Sequence, residues 1–407
     1  MNSLHIHSGD NVAVALIDLN AGQNELGIVL PQAIPKGHKF ALCAIQNGES
    51  VIKYGHPIGR ASADIAIGEH VHTQNLKTSL KSGENYSYEP SKSSIPSTLE
   101  PYKKDTFKGY LRPNGQAGTR NEIWVLNTVG CVNATASRIA TASRAVTSIN
   151  DIHSFAHPFG CSQLGDDLNH TQKILAALAS HPNTGGVVII GLGCENNQLE
   201  KLLERVEPTQ RERIRSFSAQ EVQDEEATGL TGVQELAEIM TEDQRIELPA
   251  SRLSLGMKCG GSDSFSGLTA NPLVGLMTDR ITAAGGRAIL TEVPEMFGAE
   301  QLLMNRAANS DIYQKTVELI EEFKKYFTDN KQPVSENPSP GNIAGGITTL
   351  EEKSLGAIQK GGSAAITGVI DYGERTTEQG LTLLQGPGND AVSSTALTAA
   401  GANLILF

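Results

Sequence analysis

WVLNTVGC, residues 124–131, is an apolar run that stops at a glycine and a cysteine, and the device returns three times. HSFAHPFGC closes at Cys161, VVIIGLGC at Cys194, and LSLGMKCGG surrounds Cys259. The runs are short, and helix-compatible stretches follow them, the pattern of buried strands feeding helices. In open α/β sheets, ligands bind in the crevice outside the carboxyl ends of the strands. Four soft, ionisable side chains on one rim therefore predict an active site with a metal, held by Cys131, Cys161, Cys194 and Cys259. A single cysteine is commonly just a small buried hydrophobe. The set stands out through its polar neighbours: His157 before Cys161, Glu195, Asn196 and Asn197 after Cys194, and Ser262 and Asp263 after Cys259. Cys43, inside KFALCAI, has no such company and reads as core.

A chain of 407 residues is too long for one core and predicts two or three domains. Charged residues at 19% and apolar residues at 39% describe an ordinary globular protein. No run approaches the roughly 18 apolar residues of a membrane span. The start, MNSLHIHSGDN, lacks the basic and apolar regions of a secretory signal. An odd number of cysteines without close regular spacing argues against a disulfide framework and for a reducing, cytoplasmic setting. A net charge of −12 disfavours nucleic acid and anionic membranes as partners, but not a small anionic substrate in a local field.

Residues 1–78 read as a β-rich module, with NVAVALIDL, KFALCAI, ESVIKYG and ADIAIG as short strands. Residues 79–106, rich in Ser, Pro, Lys and Glu, read as a linker. From residue 107 strands alternate with helices, the signature of parallel βαβ units, giving one α/β domain over 107–245 and a second over 246–407. The fold class is thus α/β with mainly parallel sheets behind a small N-terminal β domain. A helix is predicted to open at Thr228, and ENPSPGNIAGGITTLEEKSLG, from Glu336, reads as a polar loop. GANLILF, at the end of the sequence, reads as a buried strand, with the expectation that a further segment follows it.

All ten histidines fall within the first 181 residues. His70 and His72, spaced i, i+2, would share one face of a strand and suit a metal or acid–base work. His38, after Pro35-Lys36-Gly37, reads as a surface turn. Arg120 and Asn121, before the first strand of the middle unit, are candidates for binding a substrate carboxylate. Glu292 and Glu295 flank Pro294 in a turn after a strand, and Lys353 is the single lysine of the later polar segment. From these residues alone, a metal-assisted reaction on a polar anionic small molecule is the reading.

The ordered strings GHKFAL, YGHPIG, GEHVHT, GTRNE, TVGCVN, GCSQLGDD, GLGCENNQ, CGGSD, TANPL, LTEVPEMFGAEQLL, ENPSPGN and GPGNDAV resemble the altronate/galactarate dehydratase family. The resemblance implies an N-terminal domain of the SAF type. It also implies a hydro-lyase that converts D-altronate to 2-keto-3-deoxy-D-gluconate with divalent iron, with Mn2+ or another divalent metal as alternatives. The family motifs carry over to His38, His70, His72, Arg120, Asn121, Cys131, Cys161, Cys194, Glu195, Cys259, Asp263, Glu292, Glu295 and Lys353. The expected roles are proton transfer for His70, His72, His157, Glu195 and Lys353, and substrate binding for Arg120, Asn121, Asn196, Asp263, Glu292 and Glu295. The linker would then act as a hinge that brings the histidines over the cleft. Gln74 stands where some members place a further histidine. Alternatives are a galactarate or other sugar-acid dehydratase, an iron–sulfur hydro-lyase on the rim cysteines, and a non-catalytic sugar-acid binding protein. Assembly as a homodimer is expected.

Overall fold

The runs that end in glycine and cysteine form two parallel sheets. In the first, the strand order is Ile152–Ser154, Glu122–Asn127, Thr184–Gly191, Ile214–Ser218. In the second it is Ile366–Ile370, Gly380–Leu384, Arg287–Leu290, Ser254–Met257, Leu404–Leu406. Thr184–Gly191 is buried along its whole length, which explains why it reads as a continuous apolar run rather than an alternating one. The computed structural model of the chain describes residues 2–80, 86–91, 102, 104–145, 147, 149 and 151–407. Much of the predicted linker lies outside the described residues.

The N-terminal module is antiparallel. One sheet pairs Ser3–Leu4, Val12–Ala15, Lys39–Ala41 and His70–Val71, and another pairs Ser50–Lys53, His56–Ala61 and Leu76–Lys77. ADIAIG, expected as a strand, contributes only an isolated bridge between Ile45 and Ile65. Cys43, expected in the core, is exposed, because the strand ends at Ala41 and the chain turns outward.

The middle unit closes with a small antiparallel sheet in which Thr106–Leu111 pairs with Ile246–Pro249. That pairing carries the start of the third segment back onto the second. Its last helix runs from Glu225 to Met240, earlier than the predicted start at Thr228. Asp224 caps it by accepting from Ala227 N, and Gly229 and Gly232 are buried within it rather than breaking it. The polar segment read as a loop holds two helices, Pro340–Ala344 and Leu350–Ala357, the latter buried throughout. GANLILF supplies an edge strand, Leu404–Leu406, but it is not buried: Leu404 is 45% and Phe407 76% exposed.

The N-terminal module packs directly against the third unit. Its core residues Val12, Ala41, Ile58 and Val71 belong to the same apolar cluster as Met257, Phe297 and Leu355 of the third unit. Three buried charges fasten the joint. Lys39 Nζ and Lys53 Nζ each lie 2.8 Å from one oxygen of Glu352, with none of the three side chains more than 1% exposed. Burial opposes charge on Glu352, yet the two ammoniums hold its carboxyl far below the usual range. Burial, only partly offset by Glu352, pushes Lys39 down to about 8. Described linker residues are pinned too: Tyr86 Oη donates to Glu321 at 2.9 Å and accepts from Lys324 at 2.6 Å.

Glu352→Gln leaves two buried ammoniums without a counter-charge. Breaking a buried ion pair by removing one partner costs about 3–5 kcal/mol, so urea denaturation should show a loss of that size. A change under 1 kcal/mol would mean that the joint does not depend on this carboxylate.

Candidate active site

Three imidazoles meet where the N-terminal module touches the third unit. One ring nitrogen from each of His38, His70 and His72 lies within 4.8 Å of the others. His38 Nδ1 is 3.0 Å from His70 Nε2, and its Nε2 is 3.2 Å from the Ala344 carbonyl. The His70 and His72 rings stack at 14°, and His72 Nδ1 is buried without a hydrogen-bond partner. Burial, reinforced by the Lys39 and His38 charges, pushes both His70 and His72 down to about 4. The rings are therefore neutral at ordinary pH, the state in which imidazole binds a metal. The orphaned Nδ1 and the neutral donors fit a divalent ion of imidazole-binding type. His38 is a member of this trio rather than a surface residue, because Gly37 and His38 run against Gly345 and Ala344 of the third unit. Gln74 donates instead to the His70 carbonyl.

A second centre lies at the carboxyl ends of Ser254–Met257 and Arg287–Leu290. The Cys259 sulfur and carboxylate oxygens of Glu292 and Glu295 lie within 4.8 Å of one another. Glu292 is buried in a left-handed conformation (φ 68°), an uncommon and costly backbone for a side chain of this kind. Its Oε2 accepts from Cys259 N at 2.5 Å and its Oε1 from Ser393 Oγ at 3.2 Å. Burial, with the Glu295 charge beside it, raises the Glu292 carboxyl; burial and Glu295 likewise raise the Cys259 thiol. Lys353 Nζ lies 3.0 Å from Glu295 Oε1, and Lys360 Nζ 4.0 Å from Oε2, which has no hydrogen-bond partner. Lys353 also donates to Asn337 and Asn342, and Asn342 donates to the Ser262 carbonyl. Asp263 is exposed and bonded to Ser266 within its own turn. A cavity of about 10 Å³, room for one water molecule, is lined by Lys53 and Glu352 on one side and by Lys353, Ser262 and Asp263 on the other. It connects the buried joint to this centre.

Cys131, Cys161 and Cys194 follow three neighbouring strands of the first parallel sheet, and all three are exposed. Their loops interlock: Gly130 N donates to Phe159 O, Asn197 N to Gly160 O, and Asn196 Oδ1 accepts from Ser162 N at 2.6 Å. Gly160, at φ 105°, sits so close that a Cβ would lie 2.2 Å from the Thr128 carbonyl. Among the described residues, no group of three or more ligating side chains within 4.8 Å includes these three cysteines, whereas Cys259 joins the two glutamates. His157 is held in the same rim, its Nε2 2.8 Å from the Asn127 carbonyl and its Nδ1 accepting from Phe159 N. Glu195 is buried and its oxygens accept from Thr128 Oγ1, Leu192 N and Gly193 N. Burial opposes its charge, but these donors hold the carboxyl below the usual range. With three donors on its two oxygens, Glu195 clamps the Cys194 turn. Arg120 and Asn121 precede Glu122–Asn127 and so lie at the amino end of that sheet, opposite the cysteine loops. Arg120 pairs with Glu122 at 2.8 Å, and Asn121 accepts from Arg112.

Lys39, Lys53, Glu352 and Lys360 were not singled out from the sequence. A lysine inside KFAL, at a strand position facing inward, is the one available signal for a buried cation seeking a partner.

Three family models match in order: altronate/galactarate dehydratase SAF domain over residues 1–79, D-galactarate dehydratase/altronate hydrolase second domain over 109–243, and D-galactarate/altronate dehydratase C-terminal over 250–407. The chain is 48% identical to an altronate dehydratase of Bacillus subtilis over 99% of its length and 82% of the relative's. It is 45% identical to an altronate dehydratase of Escherichia coli, over 100% of its length and 83% of the relative's. To the galactarate dehydratase (L-threo-forming) of Escherichia coli it is 33% identical, over 99% and 80%. No helix among the described residues is long and apolar enough to cross a membrane.

The Glu195 clamp makes a pH-dependent contribution to stability. Because its folded value is depressed, that contribution is present above about 4.5 and is lost as pH falls through the lower folded value. Glu195→Gln should cost about 1.5–3 kcal/mol near neutrality and flatten the acid side of the stability curve measured by urea denaturation.

Proposed function

The chain belongs to the D-galactarate/altronate dehydratase family, and from that premise we infer that it is a hydro-lyase that dehydrates altronate. The observation that carries the substrate is the higher identity to altronate dehydratases than to the galactarate enzyme, over nearly the whole chain. The reaction removes the proton at C2 and the hydroxyl at C3, and the enol then tautomerises to a 2-keto-3-deoxy acid.

The glutamate pair has the asymmetry such a reaction needs. Two carboxyl groups held in different environments divide acid from base. Glu295, beside Lys353 and Lys360, offers a buried Oε2 free of hydrogen bonds to take the C2 proton. Glu292, with its carboxyl raised, is the group to protonate the departing C3 hydroxyl. The Lys353 and Lys360 ammoniums balance charge that develops on the substrate carboxylate as C2 loses its proton. Cys259, as a neutral thiol bonded to Ser262 at 3.0 Å, borders this centre without supplying charge.

His38, His70 and His72 would hold divalent iron or a similar metal. Bound there, it would act as a Lewis acid toward a substrate carboxylate or hydroxyl. The ammoniums around Glu292 and Glu295 make that centre the less favourable place for a cation. A cytoplasmic setting and a homodimeric assembly complete the reading.

A second reading, an iron–sulfur hydro-lyase, is favoured by the interlocked loops that carry Cys131, Cys161 and Cys194 from adjacent strands. Sulfide-to-iron absorption in anaerobically purified protein would establish it; a colourless active enzyme would dismiss it.

Product formation should be measured on D-altronate and galactarate with ferrous iron added. Faster 2-keto acid formation from altronate is expected, and faster turnover of galactarate would reassign the substrate. Glu292→Gln should lower altronate turnover by about 10²–10⁴-fold, the usual worth of a general acid. Because His70 and His72 protonate only near 4, Co2+ affinity should hold almost level from neutrality down to about pH 5.5. Cobalt absorbance would show a site with ordinary imidazoles weakening already through pH 6.5.

A further inference from the structure

A cleft of about 460 Å³ opens where the two parallel-sheet units meet at the amino ends of their strands. Arg252, Arg287 and Arg375 line it, with Ser251, Gln379 and Asn114. Arg287 begins the strand Arg287–Leu290, whose carboxyl end leads to Glu292. The cleft and the glutamate centre are therefore at opposite ends of one sheet, separated by a strand of roughly 13 Å.

The three guanidiniums are under-used. Arg375 Nε is buried without a hydrogen-bond partner, one of its amino groups donates to the Ser180 carbonyl, and its nearest carboxylate, Glu207, is 3.7 Å away. Arg287 makes only long bonds, 3.3 and 3.4 Å, to the Thr377 carbonyl. Arg252 donates to the Gly115 carbonyl. No carboxylate lines the cleft among the described residues. Burial lowers Arg287, Glu378 outside the cleft opposes that, and the Arg252 charge adds to it, so the two guanidiniums repel one another across the space. Guanidinium groups present forked donors matched to phosphate and carboxylate oxygens, and the volume suits a small molecule.

We propose that this interdomain cleft is a binding site for a small di- or trianion, a phosphate ester or a polycarboxylate, separate from the dehydratase centre. An anion there relieves the repulsion between Arg252 and Arg287 and adds charge complementary to Arg375. Because the arginines of the third unit face Asn114 and Pro182 of the middle unit, the ligand also bridges the two.

Calorimetric titration of the full chain with inorganic phosphate, and separately with citrate, tests this at an ionic strength fixed by sodium chloride. Saturable binding of either anion is expected, weakened at least tenfold in the R252Q/R287Q variant and retained in Glu292→Gln. Phosphate alone binding assigns the phosphate-ester class, and citrate alone the polycarboxylate class. Heats equal to dilution for both anions, or affinity unchanged in R252Q/R287Q, overturn the proposal. Loss of binding in Glu292→Gln overturns its separateness from the active centre. Should the double variant fail to fold, Ser251→Glu places a carboxylate in the same wall: lost binding supports the site, and undiminished binding overturns it.

Discussion

The joint between the N-terminal module and the third unit rests on one buried carboxylate. Glu352 of the third unit is the shared partner of Lys39 and Lys53 of the N-terminal module, and all three charges are buried in the joint between them. Its Oε2 also accepts from Thr348, at the entry to its own helix. The contact fixes the strand that follows His38, and the Lys39 charge helps keep the imidazole cluster unprotonated. A triad of this kind adds little net stability over a well-packed apolar equivalent. What it supplies is a single allowed docking, since any shift of the module strands two ammoniums in an apolar core.

The two candidate centres then divide their labour by charge. The imidazoles are neutral donors, suited to a cation. The glutamates are flanked by lysines, suited to moving protons and to bearing an anionic substrate. Neither is built by one segment alone: His38 leans on the Ala344 carbonyl of the third unit, and Asn342 ties the turn after Cys259 to Lys353. The strained backbone at Glu292 belongs to the same design: the left-handed turn aims its carboxylate back at the Cys259 amide.

Much of the fold was legible because it rests on local patterns. Apolar runs ending in glycine announced both parallel sheets, and nearly every strand of the third unit falls where a run of Val, Ile or Leu predicts it. Failures occurred where tertiary contact overrides composition. Residues 337–357 look polar because Glu351, Glu352 and Lys353 are there, yet each meets a partner, Thr78, Lys39 and Glu295 respectively, and the helix is buried. The His70–His72 spacing was readable, but His38 comes from a different strand, and no spacing rule links positions 32 residues apart. Arg120 looked like an anion binder because sequence does not say which end of a strand carries the cleft. The donors that clamp Glu195, from Thr128, Leu192 and Gly193, were likewise not readable from the sequence.

The ion triad also has a timetable. Lys39 and Glu352 are separated by 313 positions. At synthesis rates of about 5–20 residues per second, the N-terminal module leaves the ribosome roughly 15–60 s before its counter-charge exists. Until then, two lysines that the finished protein seals from water lack the carboxylate that balances them. The joint between the first and last segments is therefore completed only after residue 352 has been made.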